Sequence, residues 1–290
     1  MDATIGDYPD ILSSTIRLMR AGTRAVLVLG PPGVGKTAMR HEIQRALGYQ
    51  HQFMIKLSHH DVPDIAGVPV PQHDVQRTMF YPSSDMLPPS NLEGGLLVTI
   101  DEVGDCNIAQ QNLACQMVLE NCIHSYTFPH DTKFLLTSNR VADRAGANRI
   151  VTKLGNRCAL MTLYPSVDSL FAYGAANGWN PLLLAFLKMH GAERINPEDK
   201  CEHPPTYLNS FDPKSPEQIN LPSFASSRSH EEVSKYLNYI DAHEPNLDPV
   251  LVMRDTAAHL GTPGASKLAG FREGGVHMPA PAAVARAPRA

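Results

Sequence analysis

Gly30-Pro31-Pro32-Gly33-Val34-Gly35-Lys36-Thr37 is the stretch that decides the fold of this chain. It completes the pattern G-x-x-x-x-G-K-S/T. An apolar run, Ala25-Val26-Leu27-Val28-Leu29, precedes it, and a helix-compatible stretch, Ala38-Met39-Arg40-His41-Glu42-Ile43, follows. Phosphate binding needs that order. A buried strand delivers the chain to a turn whose glycines let backbone N–H groups curl round an anion. The helix behind it aims its positive end at the same place. Lys36 is placed to reach the β- and γ-phosphates, and the Thr37 hydroxyl is suited to ligate magnesium. The predicted binding set is Gly30, Pro31, Pro32, Gly33, Val34, Gly35, Lys36, Thr37 and Ala38, and the predicted ligand is a nucleoside triphosphate. A chance lysine in a Gly/Pro-rich turn would not explain the strand and helix in register on either side.

Outward from the loop, apolar runs alternate with helical stretches. A helix over 9–21 precedes what reads as the first strand, 25–29. The helix after the loop runs to Leu47 and stops at Gly48. Strands are expected at Phe53-Met54-Ile55-Lys56-Leu57, Leu96-Leu97-Val98-Thr99-Ile100, Phe134-Leu135-Leu136-Thr137-Ser138 and Ala159-Leu160-Met161-Thr162-Leu163. A helix over 107–121 rests on its length and its lack of Gly and Pro, because Ile108, Leu113, Met117 and Val118 are only loosely periodic. Alternation of this kind predicts an α/β fold with a parallel, helix-covered sheet. The stretch 58–95 reads as a long connection with a hairpin inside, and connections of that length usually serve a function.

Beyond Pro165 the pattern changes. Stretches 166–178, 180–194, 226–242 and 247–260 are helix-like, with a Pro/Ser-rich loop over 196–223, and no strand signal recurs. The expected organisation is an α/β core over 1–165, a small all-helical domain over 166–272 and a disordered low-complexity tail over 273–290.

The formal net charge of −4 and the lack of any Lys/Arg block leave no electrostatic footprint for nucleic acid. Five cysteines, Cys106, Cys115, Cys122, Cys158 and Cys201, form no C-x-x-C pair and read as reduced thiols, mostly core residues. Cys115 and Cys122 could share a helix face, but the core reading is preferred to a metal site. His59-His60-Asp61 reads as a polar loop. Without an eighteen-residue apolar run or a signal-peptide pattern, the expectation is a soluble, cytoplasmic protein.

The strand 96–100 ends on Asp101-Glu102, adjacent carboxylates at the carboxyl edge of the sheet, where open α/β folds bind ligands. Asp101 is placed to hold the magnesium shell, and Glu102 to orient and deprotonate an attacking water. Asn139, closing the strand 134–138, offers a neutral amide that could hydrogen-bond the same water or the γ-phosphate. An asparagine in a strand-end turn would look the same.

In this chain order, the phosphate loop, the Asp-Glu strand and Asn139 resemble the AAA+ ATPases over roughly residues 10–272. The MoxR-like group is the nearest in pattern. Gly30-Pro31-Pro32-Gly33, Asp64-Ile65-Ala66-Gly67-Val68-Pro69, Gly94-Gly95-Leu96-Leu97, Thr137-Ser138-Asn139-Arg140, Asn156-Arg157 and Ser226-Ser227-Arg228-Ser229-His230-Glu231 carry that likeness. The resemblance implies an AAA+-type core with a helical lid, ATP and Mg2+ as cofactors, and Asn139 as sensor 1. It implies that Arg157 is an arginine finger acting on a neighbour's γ-phosphate, with Arg144 and Arg149 close enough in sequence to substitute. It also implies that Arg228 is the sensor-2 arginine of the lid.

A trans finger implies a homo-oligomeric ring, expected to be a hexamer. Segments 58–95 and 122–132 match places where such proteins carry protruding insertions, expected here to touch the partner that is remodelled. The function so implied is hydrolysis of Mg-ATP to remodel or activate a protein client; in this group the client often works with a von Willebrand factor A-type partner. The rival functions are a nucleic-acid motor or loader of McrB-like or replication-associated type, and a small P-loop kinase. The first lacks a visible basic loop, and Asp101-Glu102 with Asn139 and a helical lid argue against the second.

Overall fold

The computed structural model describes residues 4–83, 85–140, 149–199, 204–212 and 223–274. The chain divides into two compact units, one of Met1–Pro31 with Gly35–Tyr164 and one of Pro32–Val34 with Pro165–Ala290. Of the expectations above, those on Arg144 and Cys201, and the tail from 275 onward, lie outside the described residues.

The first unit is built on β1 (Thr4–Gly6), α1 (Tyr8–Arg20), β2 (Ala25–Leu29), α2 (Met39–Leu47), β3 (His51–Ile55), α3 (Val62–Ala66), β4 (Val68–Gln72), β5 (Arg77–Tyr81), β6 (Leu96–Ile100), α4 (Ile108–Glu120), β7 (Cys122–Ile123), β8 (Tyr126–Thr127), β9 (Thr132–Ser138), α5 (Thr152–Gly155) and β10 (Ala159–Leu163). Six of these strands form one sheet in the order β1-β10-β2-β9-β6-β3. Every pairing within it is parallel. All five residues of β6 and the first four of β2 are buried, as continuous apolar runs covered on both faces should be. Leu27, Val98, Ile100, Phe134 and Leu136 pack with Ala114 and Met117 of α4 in the main core.

The sheet order fixes where a ligand can sit. From β2 the chain crosses to β3 at the sheet edge, returns through β6 to β9, and then passes over β2 to β10. The direction of winding reverses at β2, and the crevice outside the carboxyl ends of strands at such a reversal is the usual ligand position.

Several expectations change in detail. A three-residue strand, β1, precedes α1, so 25–29 is the second strand; so short a segment carries no periodic signal. The strand expected over 53–57 occupies 51–55, because Lys56 leaves the extended conformation and Leu57 opens a buried 3-10 turn. In α4, Ile108 is 70% exposed, while Gln110 and Gln111 are buried. This helix is buried round most of its girth, which explains its loose periodicity. The two glutamines spend their amides on backbone: Gln110 donates to Leu57 O and His60 O, and Gln111 accepts from Val151 N. Because α4 ends at Glu120, Cys122 falls on β7 and does not share a helix face with Cys115.

The connection 58–95 contains α3 and an antiparallel hairpin, β4–β5, and the segment 122–132 contains a second, β7–β8. The two hairpins are joined where Phe80 stacks on His124 at 4.5 Å between ring centroids and the Phe80 N–H donates to Ser125 Oγ at 3.3 Å.

The second unit contains α6 (Val167–Ala176), α7 (Pro181–His190), α8 (Ser227–His243) and α9 (Pro249–Gly274). Leu183, Phe186, Leu187, Val233, Leu237, Ile240 and Leu260 form its core. The helix expected to end at 260 breaks at Gly261, whose φ of 71° is open to glycine, and resumes to Gly274. His230 is fully buried; its Nε2 bonds the carbonyls of Tyr207 and Leu208, and burial pushes its pKa down to about 4. Among the described residues no helix is long and apolar enough to cross a membrane, and Cys106, Cys115, Cys122 and Cys158 are free thiols.

Candidate active site

The phosphate loop leaves the carboxyl end of β2 and turns through Gly33 at φ 75° and Gly35 at φ 94°, backbone that a side chain would strain. A Cβ added to Gly35 would also stand 3.2 Å from the Tyr8 ring. Lys36 folds back over the loop and is almost wholly buried. Its ammonium donates to Gly30 O at 2.9 Å, Pro31 O at 2.8 Å and Asn139 Oδ1 at 2.9 Å. Burying an ammonium is tolerated only where acceptors of this kind surround it.

The neighbouring strands supply the rest of the site through their register. Leu29 pairs with Ser138 and Ile100 with Leu136, which sets Asn139 abreast of Gly30 and Asp101 abreast of Thr137. Asp101 is buried, and its N–H still donates to Ile55 O, so its backbone stays pinned to β3. One oxygen, Oδ1, accepts from Thr37 Oγ1 at 2.7 Å and from Thr137 Oγ1 at 2.5 Å. Thr137 Oγ1 in turn accepts the Glu102 N–H at 3.3 Å. Glu102 itself has left-handed backbone, φ 55°, which costs a non-glycine residue about 1 kcal/mol or more and turns the chain sharply after the strand.

A third carboxylate, Asp105, lies within reach of both acids: burial pushes its pKa up, and the charges of Glu102 and Asp101 push the same way. Neither Asp105 nor Thr137 has a role assigned from the sequence. A hydroxyl directly after the apolar run Phe134-Leu135-Leu136 was the available sign for Thr137, but Ser138 beside it carries the same sign, and which neighbour either faces depends on register.

The donor set suits a magnesium–triphosphate complex. Thr37 can give its proton to Asp101 and still present a lone pair to a cation, and Asp101 offers hard carboxylate oxygen beside it. The Gly33 and Gly35 backbone and the Lys36 ammonium would hold the phosphates.

The arginines are placed differently. Arg157 follows α5; its Nη1 donates to Lys153 O at 2.6 Å, and its Nε is buried without a partner among the described residues. Arg149 is exposed, and its carbonyl accepts from Gln111. Arg228 lies in the second unit, exposed in the first turn of α8. A cation at the positive end of a helix is locally unfavourable, so it gains nothing there from the helix itself. Among the described residues no group of three or more His, Cys, Asp or Glu side chains is arranged to hold a metal ion by itself.

No family model matches the chain, and no curated protein matches it in sequence. Solved structures similar to it include two variant forms of RuvB from Thermotoga maritima. Both are 16% identical to it, with TM-scores of 0.45 and 0.46. The matches span 92% and 91% of this chain, and 70% and 67% of theirs. At that identity and score, function is read from this chain's own residues.

Proposed function

We propose that this protein is an AAA+-type ATPase that hydrolyses Mg-ATP, works as a homo-oligomeric ring, and remodels or activates a protein client in the manner of the MoxR-like group. The observation that carries the proposal is the pair of contacts Lys36–Asn139 and Thr37–Asp101, made by residues 103 and 64 positions apart. They join the phosphate loop to the ends of two other strands at the point where the sheet reverses its winding. A lysine and a hydroxyl side by side, backed by an amide and a carboxylate, match the polar groups that a metal-bound triphosphate needs.

In this reading, Lys36 holds the β- and γ-phosphate oxygens, and Thr37 with Asp101 holds the metal. Magnesium supplies neutralisation of the charge that builds on those oxygens. Glu102 accepts the proton of the attacking water as the water's oxygen bonds to the γ-phosphorus and the bridge to ADP breaks. The left-handed turn at Glu102 swings that carboxylate away from the strand line of Asp101. Asn139 orients the water or the γ-phosphate without adding charge.

Arg157 is proposed as the finger offered to a neighbouring subunit, and Arg228 as the lid arginine. A guanidinium suits both roles because it stays charged and bonds phosphate in bidentate fashion. Arg157 would have to release the Lys153 carbonyl to act. The ring is proposed as a hexamer. The β4–β5 and β7–β8 hairpins are proposed to meet the client, and a von Willebrand factor A-type protein is proposed as its companion.

The test is a single variant. Glu102→Gln is expected to bind ATP, assemble and fail to turn over; retention experiments with this trap in ATP would then identify the client. Unimpaired turnover in Glu102→Gln would sink the mechanism. Strong, salt-sensitive stimulation of hydrolysis by DNA would replace the protein client with nucleic acid.

A further inference from the structure

Thr137 is hydrogen-bonded to both adjacent acids of the site. Its side chain is buried in β9, one residue before the strand ends. Its single hydroxyl makes two contacts of opposite sense: the proton goes to Asp101 Oδ1 at 2.5 Å, and a lone pair takes the Glu102 N–H at 3.3 Å. A hydroxyl has one donor and two acceptor sites, so these two contacts are compatible at one oxygen.

Each contact restrains something that β6 alone does not. Asp101 is the last residue of that strand line to keep a ladder hydrogen bond, through its N–H to Ile55 O. The ladder fixes its backbone but leaves χ1 and χ2 to be set by whatever its carboxylate meets. Thr37 meets the same oxygen, Oδ1, yet Thr37 belongs to the phosphate loop, where the ligand acts on it directly. Thr137 stands on a central strand paired on both sides, so it is the stationary partner. Glu102, for its part, has left the ladder in a left-handed conformation. Its N–H, next to buried groups, would be unsatisfied without the Thr137 oxygen.

We propose that Thr137 is a positioning residue for this site: its hydroxyl orients the Asp101 carboxylate toward the metal and holds the left-handed turn that presents Glu102 to the attacking water. The inference rests on the ATPase reading, and on the roles that reading gives Asp101 and Glu102.

The variant that separates this role from packing is Thr137→Val, which keeps shape and removes both hydrogen bonds; Thr137→Ser restores the hydroxyl and loses a methyl. Partners that orient a metal ligand typically govern about 10- to 100-fold in metal affinity or activity. Thr137→Val is therefore expected to lower kcat by about 10- to 100-fold with little change in KM for ATP. It should also raise the Mg2+ concentration needed for half-maximal rate. The readout that does not depend on turnover is Mn2+ binding, followed by its EPR signal with a non-hydrolysable ATP analogue. Thr137→Val should weaken Mn2+ binding, while affinity for the metal-free nucleotide stays at the wild-type level. Thr137→Ser should recover most of the loss in both assays.

Wild-type turnover and Mn2+ affinity in Thr137→Val would overturn the inference, as would equal losses in the Ser and Val variants. Glu102→Gln run in parallel keeps the two levels apart. If it turns over normally, the ATPase mechanism itself fails; if it is inactive while Thr137→Val behaves as wild type, only the role of Thr137 fails.

Discussion

The candidate-site cleft and the β4–β5 hairpin break the ordinary rule of burial in opposite directions. In the cleft, Lys36, Asp101 and Thr137 are polar and buried, and each is bonded to its neighbours. On the hairpin, Val68, Val75 and Tyr81 are apolar and 62%, 59% and 50% exposed. Buried polar groups are tolerated when paired, and the cleft meets that condition through contacts that join the ends of three strands, β2, β6 and β9. Exposed apolar side chains gain nothing from the fold that presents them, and the proposed function gives this surface to the client. Pro69 and Pro71 remove two backbone donors from β4, which weakens it as a template for strand addition. Recognition there falls to side chains. The proposed function gives chemistry to the first region and client contact to the second.

That contrast can be broken at four points, in falling order of expected effect. Lys36→Ala should abolish nucleotide binding, measured by equilibrium titration with a fluorescent ATP; retained binding would mean that the buried ammonium is only structural. Arg157→Ala should leave binding intact and reduce turnover by about 10³-fold or more, the scale of a finger that meets transition-state charge. A steady-state rate close to wild type would transfer the finger to another arginine.

A pH effect on stability comes third. Burial lowers the pKa of His230 to about 4, so it is neutral in the folded protein and must be charged in the unfolded chain below its ordinary value. Its contribution is fully present above about pH 6.5 and is lost as pH falls toward 4, on the order of 3 kcal/mol in all. Denaturant midpoints between pH 7 and pH 4 should fall less steeply in His230→Gln. The smallest effect on hydrolysis is expected from Tyr81→Ser with Met79→Ser on the hairpin. Basal ATPase should not change, while retention of client by the Glu102→Gln trap should drop. Undiminished retention would detach the hairpin from recognition.

Much of this was legible in the sequence because local rules and the fold agree. β6 and β10 occupy their expected residues, and α2 stops at Gly48, which takes the left-handed conformation. The acids were legible as strand-end residues because an apolar run stops abruptly at Asp101, and Asn139 because it follows the two hydroxyl residues that close its strand. Where local signals are weak, the reading shifted or failed. β1 is too short to show a period. β3 was displaced by two residues because Leu57, buried in a 3-10 turn, looks like the end of a strand. α4 shows little periodicity because its neighbours cover it from several sides. Thr137 and Asp105 were missed because no local pattern says which neighbour a strand-end hydroxyl or a turn carboxylate will face.

The sequence by itself determined the phosphate loop, the acid pair, the amide, and the alternation of strands and helices that makes the sheet parallel. All of these follow from residue types and spacings within a few positions of one another. Only the tertiary structure decided that β9 lies between β2 and β6, and with what register. That arrangement brings Asn139 to Lys36, and both Thr37 and Thr137 to a single oxygen of Asp101. The physical reason is that strand order and register are set by packing and ladder hydrogen bonds summed over the whole sheet, a long-range balance that no short stretch of sequence contains.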